Sequence, residues 1–350
     1  MNSSNVLNIG PVDMNGGMGS VIRTYKDLYP DFLFIPTHDS TSKFKLILYF
    51  KNLFKLLITL FQNTSILVVH IHVASNGSFY RKSIVVIMSK MFRKKVILHI
   101  HGGGFMQFYN LNYFTKFIVK RIFNVSDLII CLSPDWKARL SLIPTSTPFT
   151  VLNNPVPEFT QSRIKRRIVS LKLLFMGAIT KNKGIFHLIN YISKNRYFLN
   201  HQIQLSIAGL GDESSLNDTI TAIDAHSDIT YIGWVSKEDK SSLLLAHDIF
   251  ILPSFYEGLP VSILEALSAQ MPVISTAVGA VPDVVIPGKN GWLFDSSDFS
   301  ELDHIFTEIF DNPVLIEQYG QASKSIVTPY LADSVKIELD KLYNSLIASK

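Results

Sequence analysis

Residues 253–283 read PSFYEGLPVSILEALSAQMPVISTAVGAVPD, and they contain two carboxylates, Glu257 and Glu265, with seven residues between them. The Gly-Leu-Pro at 258–260 predicts a loop that turns into a helix, because proline suits the first helical position, where its missing N–H costs nothing. Glu257 then lies in the loop, and Glu265 in the second helical turn. Free backbone N–H groups at a helix start favour an anion such as phosphate. Because carboxylates suit hydroxyl groups, the segment predicts a pocket for a sugar or nucleotide that carries phosphate.

Short apolar, β-branched strands alternate with helical patterns along the whole chain. Such strands indicate parallel sheets that are buried on both faces. Two series of them predict an α/β protein with two doubly wound, Rossmann-like domains. We expect a first domain over 1–160, a second over 161–330 and an amphipathic C-terminal helix over 331–350. A polar and basic stretch at 157–167 marks the linker between the two domains.

The composition excludes several classes of protein. The chain has 350 residues, of which 47% are hydrophobic, and this is enough for two cores. Its single cysteine, Cys131, excludes an internal disulfide framework and fits a reducing cytosol. The first residues do not form a signal peptide, and no stretch reaches the roughly 18 uninterrupted apolar residues of a spanning helix. We therefore expect a cytoplasmic protein that is soluble or lies on a membrane without crossing it.

The charge is distributed unevenly. Residues 1–150 contain 17 lysines and arginines, 6 aspartates and no glutamate, a net charge of +11, whereas the whole chain carries +5. This excess suggests that the first half meets an anionic surface. Nucleic acid is one possibility, but a membrane is favoured because the basic residues mix with long apolar stretches.

The segment 43–61, KFKLILYFKNLFKLLITLF, predicts a helix that carries Lys43, Lys51 and Lys55 roughly on one face. One interpretation is a helix that packs on the first sheet with its lysines outward. The other is an interfacial helix whose apolar side enters the headgroup region while its lysines meet anionic lipid. The sequence leaves both open.

The segment 253–283 resembles the E-x7-E signature of the retaining glycosyltransferases of the family 4 type, which have the GT-B fold. Four further stretches resemble motifs of that family in the expected order; they are VLNNPV at 151–156, LLFMGAITKNKG at 173–184, IQLSIAGLG at 203–211 and ITYIGW at 229–234. The resemblance implies two Rossmann-like domains that face a cleft. It also implies that the C-terminal helix packs back on the first domain.

The resemblance assigns roles to three charged residues. Glu257 is expected to lie against the donor sugar and to take part in the retaining step; alternatively it caps the next helix. Glu265 belongs to a helix, VSILEALSA, that is too apolar for the surface, and a buried glutamate must be hydrogen-bonded. The family implies that ribose hydroxyls supply those bonds. Lys183 precedes a glycine at a helix entrance, where it can neutralise the leaving diphosphate; alternatively it is a surface lysine.

The remaining donor-binding positions are mostly glycines that allow close approach of backbone to ligand. By resemblance they are Gly16, Gly17, Gly177, Gly233, Gly258, Leu259 and Pro260. The chain departs from the family at Ala178, where an arginine is usual, so one expected cation is missing. Lys181 or basic residues of the first domain could replace it.

Two His-x-His pairs, His70/His72 and His99/His101, lie in predicted strands. Residues two apart in a strand share a face, so each pair could bind zinc. The lack of glutamate in the first half argues against a metal, because histidine ligands usually need carboxylate partners. His101, just before three glycines, resembles the family's active-site histidine next to the donor sugar, and His72 is expected to be structural.

The resemblance therefore implies a retaining, hexosyltransferase-type glycosyltransferase. The expected donor is a nucleoside diphosphate sugar, namely a UDP-sugar, and the expected acceptor is a hydroxyl of a lipid-linked glycan in bacterial polysaccharide or O-antigen synthesis. We expect a peripheral protein on the inner face of the cell membrane, with no cofactor, metal or nucleic-acid partner. No Asp-x-Asp stands at a strand end to hold a divalent ion. Two alternatives remain: a nucleotide-sugar epimerase on the same fold, and a non-catalytic partner of a glycosyltransferase, which only Ala178 favours.

Overall fold

The computed structural model describes residues 3–11, 17–38, 44–101, 103–160, 170–225 and 227–348. The chain divides into two compact units. Unit 1 comprises Met1–Pro155 and Ala332–Lys350, and unit 2 comprises Val156–Leu331. The division thus falls a few residues before the expected boundary at 160, and the C-terminal helix groups with unit 1.

Unit 1 contains a six-stranded sheet whose paired strands are all parallel. Its strands are β1 (Val6–Pro11), β2 (Leu33–His38), β3 (Val68–Val73), β4 (Lys95–Ile100), β5 (Leu128–Cys131) and β6 (Phe149–Val151). The spatial order is β2-β1-β3-β4-β5-β6, so the winding direction reverses between β1 and β3. Every residue of β3 is buried, as a parallel strand covered on both faces requires.

Unit 2 contains a second parallel sheet of six strands. These are β7 (Leu171–Met176), β8 (Ile203–Ala208), β9 (Ile229–Gly233), β10 (Ile249–Leu252), β11 (Val273–Thr276) and β12 (Gly291–Phe294). The spatial order β12-β11-β10-β7-β8-β9 is the dinucleotide-binding order, in which the winding reverses between the first and fourth strands. The two sheets confirm the predicted α/β class and its doubly wound architecture.

Helices connect the strands in both units. They are α1 (Gly17–Leu28), α2 (Lys45–Gln62), α3 (Gly77–Met91), α4 (Phe105–Tyr109), α5 (Tyr113–Val125), α6 (Pro134–Leu140), α7 (Ile185–Ile192), α8 (Arg196–Leu199), α9 (Glu213–Ala222), α10 (Lys237–Ala246), α11 (Val261–Ser268), α12 (Glu301–Asp311), α13 (Val314–Val327) and α14 (Ala332–Ala348). Short 3-10 turns lie at Ser3–Asn5, Lys181–Lys183, Val281–Asp283 and Thr328–Tyr330. Within the described residues, no helix combines the length and the apolarity that crossing a bilayer requires.

The C-terminal helix α14 packs against α1 and β3 of unit 1. Tyr343 is fully buried there, and its hydroxyl oxygen lies 2.6 Å from Nδ1 of His70. The hydroxyl of Tyr29 donates to Oδ1 of Asp340 at 2.8 Å. Burial of an aromatic side chain together with paired polar groups holds the end of the chain in the core of unit 1.

One local expectation is wrong. Helix α11 begins at Val261, so Pro260 is its N-cap and not its first helical residue. The backbone of Pro260 is extended there, with φ −66° and ψ 120°. A proline fits this position equally well, because its fixed φ suits an extended residue and its missing N–H is not needed.

Candidate active site

The central strands of unit 2, β7 and β10, pair at the point where the winding reverses. In open α/β sheets, ligands bind outside the carboxyl ends of the strands at this point. Lys183 follows β7, and Glu257 follows β10. The Lys183 ammonium lies 2.5 Å from Oε1 of Glu257, with the two side chains 24% and 10% exposed. The hydroxyl of Ser254 donates to the same oxygen at 2.7 Å, so the carboxylate is held by two donors.

Backbone contacts bring the loops that carry these residues together. Gly184 adopts a left-handed conformation (φ +71°), and a Cβ atom there would lie 1.9 Å from the Pro253 carbonyl oxygen. The amide of Phe255 donates to the carbonyl of Asn182 at 2.9 Å. Because only glycine allows this approach, the Lys-Gly pair at 183–184 both supplies the cation and permits the contact that delivers it to Glu257.

A third loop, after β11, closes on the Glu257 segment. Gly279 has φ +57°, and a Cβ atom there would lie 2.3 Å from the carbonyl oxygen of Glu257. The amide of Ala280 donates to the carbonyl of Gly258 at 2.8 Å. The backbone around Glu257 is therefore fixed on two sides, which gives its side chain a defined position.

The carboxylate of Glu257 makes contacts other than a cap of helix α11. Helix α11 has no side-chain hydrogen bond at its N-cap, and the carboxylate of Glu257 points instead to Lys183 and Ser254. Those contacts do not stabilise the helix start. The arrangement is better suited to a ligand that needs a carboxylate and a cation side by side.

Glu265 is buried in α11, with 4% of the residue exposed. The ammonium of Lys240, on α10, lies 2.7 Å from its Oε1. The prediction that a buried Glu265 must have a hydrogen-bonding partner is therefore met inside the protein. Lys240 was missed from the sequence because it lies in the polar stretch SKEDKSS, which is typical of a solvated helix face.

The smaller donor-site positions lie at the ends of strands. Gly177 follows β7, and a Cβ atom there would make only ordinary contacts, the nearest at 3.5 Å. Packing within the chain therefore does not explain why a glycine stands there. Gly233 ends β9 in a left-handed conformation, with φ +80°. Ala178 and Lys181 are both exposed next to this edge of the sheet.

The loop at 258–260 leads into α11: Gly258 is partly exposed, and Leu259 and Pro260 are buried. Gly17 is the first residue of α1, and Gly16 lies outside the described residues. The structure thus gathers Lys183, Glu257 and Gly258 at one edge of unit 2.

Four histidines of unit 1, His70, His72, His99 and His101, form one cluster on β3 and at the end of β4. Nδ1 of His72 lies 2.9 Å from Nε2 of His101, and Nε2 of His70 lies 3.2 Å from Nδ1 of His99. Burial is the main reason that all four pKa values are lowered; those of His70 and His101 fall to about 3. The imidazoles are therefore neutral at physiological pH.

The ligand nitrogens of His70, His72 and His99 lie within 4.8 Å of one another, as a metal site would require. Both ring nitrogens of His70 are already engaged, however, since Nδ1 contacts Tyr343 and Nε2 contacts His99. A divalent cation here would also add positive charge to residues 1–150, which contain no glutamate. Because a buried charge needs compensation, we interpret the cluster as a hydrogen-bonded histidine array.

Lys82 lies beside the same cluster and is buried, with 3% of the residue exposed. Its ammonium donates to the hydroxyl of Ser78 at 3.1 Å. Burial, with a smaller contribution from the charge of Arg81, lowers the pKa of Lys82 to about 7. A lysine near half-protonation at neutral pH was not anticipated from the sequence, where it reads as an ordinary helix residue.

Two family models match the chain. A model of glycosyl transferases group 1 matches residues 161–326, and a model described as glycosyl transferase 4-like matches residues 23–133. The two matches lie in different units and are in the order that the sequence motifs implied. Both units are therefore similar to glycosyltransferase families.

Curated relatives support this relationship. The amylovoran biosynthesis glycosyltransferase AmsK of Erwinia amylovora is 24% identical, over 74% of this chain and 63% of its own length. An MMP alpha-(1->4)-mannosyltransferase of Mycolicibacterium hassiacum is 22% identical, over 76% of this chain and 63% of its own length. The chain thus spans less than two thirds of either relative. Its homologues include proteins of polysaccharide biosynthesis.

The fold matches solved structures over nearly the whole chain. Anabaena HepE in complex with UDP-glucose superposes with a TM-score of 0.78 at 14% identity, covering 97% of this chain and 99% of that one. At this identity the match shows the fold alone. It confirms the GT-B fold that the sequence motifs predicted.

Proposed function

Starting from a chain whose two units both match glycosyltransferases, we propose that it is a retaining, hexosyltransferase-type glycosyltransferase. It transfers a sugar from a nucleoside diphosphate sugar to a hydroxyl of a lipid-linked glycan in bacterial polysaccharide or O-antigen synthesis. The observation that carries the proposal is the ion pair between Lys183 and Glu257 at the point where the winding of unit 2 reverses. A cation and a carboxylate at a ligand-binding edge suit a substrate that has both phosphate and hydroxyl groups.

The donor occupies unit 2. Lys183 neutralises the charge that develops on the leaving diphosphate, and Glu257 contacts the sugar as positive charge develops at its anomeric carbon. Gly177 lets the diphosphate approach the backbone. Gly233 contacts the nucleobase of the donor, and Glu265 binds its ribose. A UDP-sugar is the donor we assign, because HepE, a structural neighbour, was solved with UDP-glucose.

The reaction needs no covalent enzyme intermediate. The bond between the anomeric carbon and the phosphate oxygen breaks, and the acceptor oxygen bonds to the same face of the sugar. The proton of the acceptor hydroxyl passes to an oxygen of the departing diphosphate, so atoms and charges balance. Unit 1 contributes one catalytic residue, His101. No metal is needed, since lysine supplies the charge compensation that a divalent ion gives elsewhere.

Ala178 bears on how strongly the diphosphate is held. Its methyl group is exposed and carries no charge where the family has an arginine. Lys181 is exposed in the following 3-10 turn and is placed three residues further along the chain. We assign to Lys181 part of the missing charge, which predicts weaker diphosphate binding than a fixed arginine fork would give.

Unit 1 binds the acceptor and the membrane. Its helix α2 contacts the anionic bilayer. Tyr49, Leu56 and Leu60 of this helix point inward and are buried. Large apolar side chains also cover its outer side; those at least 60% exposed are Phe44, Leu46, Ile47, Phe50, Phe54 and Phe61. Exposed apolar patches of this kind mark interaction sites. Lys51 and Lys55 lie among them and supply the attraction to anionic lipid.

The apolar surface continues beyond α2. Helix α3 contacts α2, and α5 contacts α3. On α3, Ile87 and Met91 are 51% and 76% exposed, and on α5, Tyr113 and Phe114 are 85% and 63% exposed. Neighbouring helices that share an apolar surface fit a planar lipid boundary. The protein would then be peripheral on the inner face of the cell membrane, where lipid-linked glycans are assembled.

Transfer to an acceptor explains more than the two alternatives do. An epimerase would need no apolar and basic surface for a lipid-linked substrate. A non-catalytic partner would not need Lys183, Ser254 and Glu257 to converge. The relatives also favour transfer, since both are described as transferases.

The test begins with a thermal-shift screen of UDP-, GDP- and ADP-sugars. A ligand present at about 100 times its dissociation constant stabilises the protein by about 2.7 kcal/mol, a readily measured shift. The bound sugar is then incubated with lipid-linked glycans, and the product is analysed by mass spectrometry and by NMR of the new anomeric centre. We expect a product that keeps the anomeric configuration of the donor.

Each failure has its own meaning. An inverted centre would refute the retaining step. A changed nucleotide sugar without any acceptor product would identify an epimerase. Absence of binding to every nucleotide sugar would favour the non-catalytic partner.

A further inference from the structure

His72 and His101 form a direct contact between neighbouring strands of unit 1. His72 lies in β3, and His101 follows the last residue of β4. Their Nδ1 and Nε2 atoms lie 2.9 Å apart, which is a hydrogen-bond distance. The amide of His101 donates to the carbonyl of Val73 at 2.8 Å and so extends the ladder between the strands. Both the backbone and the ring of His101 are therefore held by β3.

Only one proton can lie between these two nitrogens. Burial, together with the neighbouring histidines and Lys82, keeps the pKa of both rings far below neutrality, so each ring carries a single N–H. Either His72 donates from Nδ1 and His101 carries its own proton on Nδ1, or His101 donates from Nε2 and His72 carries its proton on Nε2. At the other ring nitrogen of His101, Nδ1, the first arrangement presents an N–H donor and the second presents a lone pair that accepts.

The surroundings of His72 distinguish the two arrangements. His72 is fully buried, and within the described residues its Nε2 atom has no hydrogen-bond partner. In the second arrangement this atom would be a buried N–H without an acceptor. In the first it is only an unused lone pair, and unused buried acceptors are less rare in proteins than unused donors.

We propose that His72 is a positioning residue, which donates its Nδ1–H to Nε2 of His101 and holds His101 in the tautomer that carries its proton on Nδ1. The proposal rests on the proposed function in one respect, namely that His101 contacts the substrate. It changes the role expected for His72, which was structural. The signal was present in the sequence, because His72 and His101 lie near the carboxyl ends of two consecutive predicted strands.

This tautomer gives His101 a defined chemistry. Its Nδ1–H is a hydrogen-bond donor that stays neutral across the physiological range. It suits an oxygen acceptor of the substrate, either a sugar hydroxyl or a phosphate oxygen. Unlike a cation, it adds no charge to the group that it contacts. Fixing the proton in advance also avoids reorganisation during the reaction.

Substitutions at position 72 separate donation from packing. The side-chain amide of asparagine reaches the position of Nδ1, so His72→Asn keeps a donor to His101, whereas His72→Leu removes it. If the leucine variant does not fold, His72→Gln replaces it, because its amide reaches the Nε2 position instead. Misplacement of a catalytic group by a substitution further away can cost about 100-fold in rate. We expect such a fall in kcat for His72→Leu, with an unchanged donor KM, and near-normal turnover for His72→Asn.

The second measurement does not depend on activity. Two-bond 1H–15N correlation spectra of the protein labelled at histidine report which nitrogen carries the proton, and His101→Gln identifies the His101 signals. We expect the Nδ1–H tautomer in the wild type and in His72→Asn, and a mixture in His72→Leu. The control is His70→Leu, which removes an equally buried ring that contacts Tyr343 and His99, and it should leave the His101 signals unchanged.

Three results would overturn the proposal: a His101 that carries its proton on Nε2 in the wild type, a His72→Leu variant with unchanged His101 signals, or one equivalent of zinc that is lost on substitution of His72. If the protein transfers no sugar to any acceptor, the proposed function fails, while the spectra still decide the tautomer.

Discussion

The ammonium of Lys183 and the carboxylate of Glu257 lie 2.5 Å apart, although their positions in the chain differ by 74. They meet because β7 and β10 are neighbours in the sheet of unit 2, and each residue follows its strand. The pair is largely buried, so its attraction is stronger than that of a surface pair, and removal of one partner leaves the other without its counter-charge. Variants of the pair therefore report on both folding and catalysis.

We expect Glu257→Gln to lower kcat by about 100-fold with a much smaller change in the donor KM, because its proposed contact matters most as charge develops. Steady-state kinetics with the identified donor measures this. Glu238→Gln, which changes an exposed glutamate of α10, is the matched control and should behave as the wild type. Near-normal turnover of Glu257→Gln would remove Glu257 from the reaction.

A double-mutant cycle of Glu257→Gln with Lys183→Met measures the pair itself. Contacting charged residues usually couple by about 0.5–3 kcal/mol in free energy of unfolding. A coupling within this range in urea unfolding is expected, and additive effects would show that the pair contributes nothing to stability.

The ion pair of Glu265 and Lys240 gives a further prediction. Loss of a hydrogen-bonded charged partner costs about 1.5–3 kcal/mol, so Glu265→Ala should weaken binding of the nucleoside diphosphate by roughly that amount in calorimetry. Lys240→Met separates ribose binding by Glu265 from the ion pair that Glu265 forms with Lys240. If Glu265 binds ribose, Lys240→Met should retain nucleotide binding better than Glu265→Ala. Unchanged affinity in Glu265→Ala, with lowered stability in both variants, would show that Glu265 serves only the internal ion pair.

These residues also show what sequence could predict. Lys183 and Glu257 were predictable because the segments that carry them resemble motifs of the family, and the carboxyl ends of adjacent parallel strands meet. The partner of Glu265 was not, because Lys240 comes from a helix whose sequence is polar throughout, and nothing local indicates which of its lysines turns inward. The start of α11 was misplaced by one residue, since proline fits both the N-cap and the first helical position.

The reaction should not depend on a divalent ion. Turnover in excess EDTA should equal turnover in buffer, because Lys183 supplies the charge compensation for the leaving group. The measurement uses protein that has been dialysed against chelator, with and without added Mg²⁺ or Mn²⁺. Complete loss of activity that either ion restores would refute the metal-free mechanism.

Lys82 predicts a pH dependence of stability. Its pKa is lowered from 10.5 to about 7 in the folded protein, chiefly by burial and secondarily by Arg81. Between pH 7 and 10.5 the unfolded chain therefore binds the extra proton, and stability rises with pH by up to about 1.4 kcal/mol per unit. Below pH 7 the full cost of burying the ammonium is present. The free energy of unfolding, measured in urea at a series of pH values, should rise less steeply over this range in Lys82→Met than in the wild type. An equal rise in both proteins would mean that Lys82 stays charged.

The last prediction concerns the membrane surface of unit 1. Lys51 and Lys55 lie on α2 among exposed phenylalanines, and Lys43 precedes this helix, outside the described residues. Each basic residue near an anionic bilayer contributes about 1 kcal/mol, and salt screens this attraction. The wild type should sediment with vesicles that contain phosphatidylglycerol, less with neutral vesicles, and less again at high salt.

Changing Lys43, Lys51 and Lys55 to Gln should therefore release the protein from anionic vesicles and lower its activity on a lipid-linked acceptor. Donor binding in calorimetry should stay unchanged, because the donor belongs to unit 2. The matched control changes Lys194, Lys289 and Lys324, three exposed lysines of unit 2, to Gln, and so alters the net charge equally. If both triple variants lose vesicle binding alike, net charge and not α2 drives the attraction. If neither does, the lysines of α2 are ordinary surface residues and its apolar face must bind some other partner.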